Sequence, residues 1–170
     1  GFETVTDKAG GFTGEKILLN PNVSANLLPA TLVHEATHSL QNEHNPAKEI
    51  GLSAFTAESQ LKIARAMEAD AQTYAITACK ELSLQGDRSP YNIFADRYPE
   101  IEEAFRASYD KHGKVNHEVM TDTNESWYDQ IRTKTVYEEA YQIEPMTKEI
   151  YDLKQGKKPT LFYDKQKMTA

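Results

Sequence analysis

The chain has a single cysteine among its 170 residues. Cys79 therefore has no partner for an intramolecular disulfide, and no thiolate set exists to hold a structural zinc, so any bound metal must rely on histidine and carboxylate. Positive charge is also in short supply. Nineteen Lys and Arg against 26 Asp and Glu leave a net charge of -7, which excludes a basic nucleic-acid groove as the main working surface. The one basic concentration, at Lys154, Lys157, Lys158, Lys165 and Lys167, reads as a solvated tail. No run of 18 apolar residues is present and no apolar core of a secretory signal opens the sequence, so no membrane association is expected. The expectation is a cytoplasmic protein or one exported as an effector. Internal repeats and low-complexity segments are missing too. What remains suits one compact domain with its own core, expected over 1–154, with a tail over 155–170.

What is present centres on His34-Glu35-Ala36-Thr37-His38, an HExxH pattern within Val33 to Gln41. On a helix, residues four apart return to one face, so both imidazoles can share a metal ion while Glu35 sits beside them. Two neutral imidazoles suit Zn²⁺, and the glutamate between them would take the proton of a water that the metal acidifies. Val33, Ala36 and Leu40 form an apolar stripe expected to pack inward, with His34, His38 and Gln41 as a polar one alongside.

Before this helix, Glu3 to Thr6, a turn over Asp7 to Gly11, and Phe12 to Leu19 read as a β-hairpin stopped by Asn20-Pro21-Asn22. Ile17 to Leu19 is a candidate rim for an extended peptide, and an ordinary core strand explains these residues equally well. Pro29 fits a first helical turn, which places the motif helix from near Leu28 to Asn42 or Glu43. A longer helix is expected from about Ser53 to Leu84, closed at Gly86. Ala54, Ala57, Leu61, Ala64, Glu68, Ala71, Ala75, Ala78 and Leu82 recur at spacings of three and four on one face of it. Glu68 is the one charged residue in that stripe, and a buried carboxylate needs a cation or a proton. Further on, a short segment reaches Tyr98, a helix covers Pro99 to His112, and a helical stretch covers Glu118 to Ile143 with a reset near Thr121 to Asn124. A last helix is expected over Met146 to Lys154, and β-prone Thr160 to Tyr163 would pair with the hairpin or lie loose. The fold class is mainly α, within α+β: a short N-terminal β-hairpin or sheet packed on the motif helix, plus a long glutamate-bearing helix.

A catalytic zinc site needs a third protein ligand. Glu68 is one candidate, on its separate helix. His44 is its rival, because HExxH followed by a histidine six residues after the second is a known ligand spacing, although Gln41 stands where that pattern has a glycine. Glu58 lies off the Glu68 face among Lys62 and Arg65 and reads as solvated. Asp70 is rotated by roughly 200° from Glu68 and would anchor the helix to some other element.

His34 to His44, followed by Met67-Glu68-Ala69-Asp70-Ala71, resembles bacterial metallopeptidases of gluzincin type, which carry an HExTHxLQ-like helix and then an E-[AG]-D-A helix. The resemblance covers mainly residues 17 to 80, with Trp127-Tyr128 as a weak extension. It implies Glu68 as third zinc ligand, Glu35 as catalytic base, and a minimal zincin-like domain. In thermolysin-like relatives an acidic residue one turn past the ligand steadies a histidine; here Gln72 occupies that place. The expected activity is hydrolysis of a peptide or protein substrate without a covalent intermediate. Candidates for outer-sphere or transition-state contacts are Gln41, Gln72, His112, His117 and Tyr128, with Tyr74 and Arg65 behind them. The alternatives are an inactive zinc-binding interaction module, or a metzincin-like protease that uses His44.

Overall fold

A computed structural model describes residues 2–4, 8–44, 57–130, 135–136 and 151–157. The chain divides into two compact units, one made of residues 1–44 with 67–130 and the other of 45–66 with 131–170.

The first unit opens with three short strands, β1 (Phe2–Thr4), β2 (Gly10–Phe12) and β3 (Ile17–Leu19). Their order is β1-β3-β2, with β1 parallel and β2 antiparallel to β3. The hairpin therefore joins β2 to β3. It turns through Thr13 to Lys16, where the Thr13 N–H donates to the Lys16 carbonyl at 3.0 Å and Gly14 takes φ 93°. Gly10 and Gly11, expected in a turn, are instead strand residues paired with Leu19 and Leu18. The cause is steric: a Cβ built on Gly10 would stand 2.6 Å from Thr31 Cγ2, so only glycine lets this strand lie so close to the following helix. Of the two readings of Ile17–Leu19, the core strand matches: it is the middle strand, with β1 and β2 on either side.

Helix α1 (Leu28–His44) has Pro29 in its first turn and lies against β2 and β3. Its buried residues are Ala30, Thr31, Glu35 and Thr37. The stripe of Val33, Ala36 and Leu40 is not the inward face, since Leu40 is 58% exposed. The sheet covers the Thr31 and Glu35 line instead, so the helix buries the side that carries its chemistry.

Helix α2 (Ala57–Leu84) belongs to this unit from Met67 onward. Ser53 to Thr56, expected at its start, lie outside the described residues. Ala71 and Ala75 of the expected stripe are buried, and Ala69, Thr73, Ile76 and Cys79 are buried as well, so the helix is covered on more than one face. Thr73 and Thr77 tie their hydroxyls back to the carbonyls of Ala69 and Thr73.

Three shorter helices complete the unit: α3 (Ser89–Arg97), α4 (Pro99–His112) and α5 (His117–Ser126), followed by a 3-10 turn over Trp127–Asp129. Phe94, Ile101, Phe105, Val119 and Trp127 form their core. Gly113, at φ 69°, ends α4, and Asn116 caps α5 by accepting from the Val119 N–H at 3.0 Å. The segment before Tyr98 is thus a helix of its own, with Pro90 in its first turn. Helix α5 runs through Thr121 to Asn124 without the expected reset, and within it the hydroxyls of Thr123 and Ser126 donate to the carbonyls of Val119 and Thr123. Lys80 reaches from α2 to stand 4.2 Å from the centroid of the Tyr109 ring.

In the second unit, Lys62 pairs with Glu58 at 2.6 Å. There, a helical turn over Tyr151 to Lys154 is followed by an ion pair between Lys157 and Asp152 at 2.7 Å. The rest of the expected Met146 to Lys154 helix, and Thr160 to Tyr163, lie outside the described residues. Among the described residues no helix is long and apolar enough to cross a membrane. The protein is mainly helical with a small β component.

Candidate metal centre

His34 and His38 stand one turn apart on α1, and their Nε2 atoms approach to 3.1 Å with the rings nearly perpendicular. Glu68 enters from α2, placing Oε2 at 3.2 Å from His34 Nε2 and Oε1 at 3.5 Å from His38 Nε2. These three side chains form a group able to hold a metal ion. An ion bound tetrahedrally at about 2.0–2.1 Å from nitrogen and oxygen ligands spaces its donors by about 3.3 Å. The observed edges of 3.1, 3.2 and 3.5 Å fit that triangle, so the residues present suit a small divalent cation. The Glu68 side chain is only 5% exposed. Its burial and its ligand-like position are one fact: the stripe of α2 carries the carboxylate to a point where two imidazoles receive it.

The charges here are strongly coupled. Burial acts to raise the Glu68 pKa, yet the hydrogen bonds and charge of His34 and His38 outweigh it and hold the carboxyl well below its usual range. For His38, burial opposes protonation, but Glu68, Gln41 and Glu35 together leave its pKa raised. Glu35 behaves in the opposite way to Glu68. It is 7% exposed, and burial raises its pKa, with Glu68 adding to the rise and His34, His38 and Lys8 opposing it. Two neighbouring carboxylates are thus pushed apart, one kept ionised and the other made more basic.

A family model described as "Putative metallopeptidase family (DUF6782)" matches residues 5–152. The chain belongs to this metallopeptidase family. No curated protein and no solved structure matches it.

Around the three clustered side chains, this metallopeptidase-family chain builds an outer layer from Gln41 and Asp70. Gln41 Oε1 lies 2.8 Å from His38 Nδ1, while Gln41 Nε2 donates to the Met67 carbonyl at 3.0 Å and to Asp70 Oδ2 at 2.9 Å. Asp70 is therefore an anchor, and the element it anchors is α1. Gln72 is buried, and among the described residues its Oε1 has no hydrogen-bond partner.

The other candidates are not members of this cluster. His44 is exposed in the last turn of α1. Because the helix continues unbroken to that residue, six positions rotate it by about 240° from His38. Glu58 is exposed and paired with Lys62. His112 is half-buried at the end of α4, His117 is exposed at the start of α5, and Tyr128 packs its ring on Trp127. None of the three hydrogen-bonds to His34, Glu35, His38 or Glu68. Tyr74 is exposed, and Arg65 belongs to the second unit. One contributor was hidden in the sequence: Gly10, whose strand covers Glu35. A Cβ there would stand 3.2 Å from Glu35 Cγ. Its only signal was a Gly-Gly pair, which turn chemistry explains equally well.

Proposed function

We propose that this protein is a zinc-dependent peptidase of gluzincin type, with His34, His38 and Glu68 as metal ligands and Glu35 as general base. The observation that carries the reading is the triangle of His34, His38 and Glu68 donors with a buried, proton-seeking Glu35 on the intervening position of the same helix. When bound, zinc supplies Lewis acidity, polarising a carbonyl and bringing the pKa of water near neutrality. Glu35 takes a proton from the attacking water onto its carboxylate and returns it to the departing amine nitrogen. Burial suits it to this work, because it makes the carboxylate a stronger proton acceptor than an exposed one. The substrate class is a peptide or protein. Among the described residues β2 is an edge strand and lies beside Glu35, so an extended chain would pair there and not on Ile17–Leu19.

A module that merely holds zinc would have no use for Glu35, and keeping an ionisable group buried beside Glu68 disfavours the fold. The test is Glu35→Gln. The variant is expected to retain about one zinc per chain by elemental analysis while losing about 10²–10⁴-fold in cleavage of a peptide library followed by mass spectrometry. Equal cleavage by both proteins, or no stoichiometric zinc in either, would refute the reading.

A further inference from the structure

The orientation of the Gln41 amide is decided by its surroundings. Both the Met67 carbonyl and the Asp70 carboxylate are acceptors, lying 3.0 and 2.9 Å from one end of the amide. That end must be the NH₂ group, since an amide oxygen there would face two oxygens. The oxygen end is thereby turned to His38, at 2.8 Å from Nδ1. An amide oxygen only accepts, so Nδ1 must carry a hydrogen, and in the neutral ring Nε2 is then left with a bare lone pair. Nε2 is the atom that faces His34 and Glu68.

We propose that Gln41, oriented by Asp70 and the Met67 carbonyl, is a positioning residue that sets the His38 tautomer and fixes the place of Glu68. The functional meaning of this rests on His38 being a ligand, which the preceding section proposes. The need for such a device is visible in the geometry. In the absence of a cation, the Glu68 carboxylate is a strong acceptor 3.5 Å from His38 Nε2, and it favours the other tautomer, with the hydrogen between them. That hydrogen would have to leave before a metal could enter. Gln41 holds it on the far side of the ring. The same amide grips the carbonyl of Met67 and the side chain of Asp70, which bracket Glu68 on α2, so one side chain ties the ligands of α1 to the ligand of α2. Asp70 sharpens the effect: its charge strengthens the bond that orients the amide.

The tautomer can be measured directly in the ¹⁵N-labelled full chain by long-range ¹H–¹⁵N correlation, without metal and at a pH where the His38 ring is neutral. The expected result is a protonated Nδ1 and an unprotonated Nε2 for His38. Gln41→Leu should move the hydrogen to Nε2 and lower the affinity for Zn²⁺, read by chelator competition, by about 10–100-fold, with an unchanged circular dichroism spectrum. A swap pair guards against a variant that fails to fold. Gln41→Glu keeps an acceptor for Nδ1 but sets a carboxylate against Asp70, and so should weaken Zn²⁺ binding; adding Asp70→Asn restores a donor between the helices and should recover part of the affinity. The proposal fails if wild-type His38 carries its hydrogen on Nε2, if Gln41→Leu binds Zn²⁺ as wild type does, or if the swap pair is no better than Gln41→Glu alone. Should the wild type bind no zinc, the metal reading falls while the tautomer measurement still decides what Gln41 does.

Discussion

Glu68 Oε2 lies 3.2 Å from His34 Nε2 although the two residues come from different helices. Removing that carboxylate takes away the proposed third ligand. Glu68→Ala should therefore lower Zn²⁺ affinity by more than the about 10–100-fold expected for an outer hydrogen-bond partner. His44→Ala should leave it unchanged, because α1 carries His44 round to another side. Isothermal titration of both variants checks this, and a loss confined to His44→Ala would transfer the third ligand to that residue.

Glu35 is expected to make the metal-free protein less stable at neutral pH. Its pKa is raised in the fold above the ordinary carboxylate value, so the favourable contribution belongs to the protonated form: it is present below the unfolded pKa and is lost as pH rises through the folded one. Glu35→Gln, which stays neutral, should raise the melting temperature of the metal-free protein at pH 7, with a difference that shrinks towards pH 4. A variant that melts lower than wild type at pH 7 would contradict this assignment.

Gly10→Ala tests the close approach of β2 to α1. The added methyl would meet Thr31 Cγ2 at 2.6 Å, the Leu18 carbonyl oxygen at 3.0 Å and Glu35 Cγ at 3.2 Å, and two of these neighbours belong to a helix that cannot shift freely. A loss of about 1–3 kcal/mol on chemical denaturation is expected, along with reduced activity. A neutral outcome would mean that the strand can move aside at no energetic penalty.

These cases mark what could and could not be read from the sequence. His34 and His38 were legible because four-residue spacing is a local property of a helix. Glu68 was legible because a carboxylate in an alanine stripe violates the local pattern and asks for a cation. The inward face of α1 is not legible in this way: the apolar stripe ending in Leu40 is a local signal, whereas burial is decided by which side the sheet covers. Strand order failed for the same reason. Nothing in Ile17–Leu19 itself announces that β1 returns to pair beside it. Gln41 and Asp70 were each visible as candidates, but their joining is a fact about how two helices meet.

Tyr91 offers a pH test away from the site. Burial, then the neighbouring Glu102 carboxylate that its hydroxyl meets at 3.1 Å, pushes its phenol above the ordinary value of 10. Stability from this group is therefore full below pH 10 and is lost as pH rises beyond it. In a phenolate absorbance titration of the nine tyrosines, one should ionise late, together with alkaline unfolding. Tyr91→Phe should remove that component, and persistence of the late step in this variant would assign it elsewhere.

The wall over Glu35 is made of main chain. Because position 10 carries no side chain, the patch of strand nearest the carboxylate cannot be trimmed by any replacement of an amino acid; substitution there can only add bulk. Side-chain variation can alter what surrounds Glu35 on its other flanks, but the seclusion contributed by β2 is a property of the path the backbone takes. Reopening that side would require rerouting or removing the strand, so for this glutamate the N-terminal hairpin is as much a part of its enclosure as the helix that carries it.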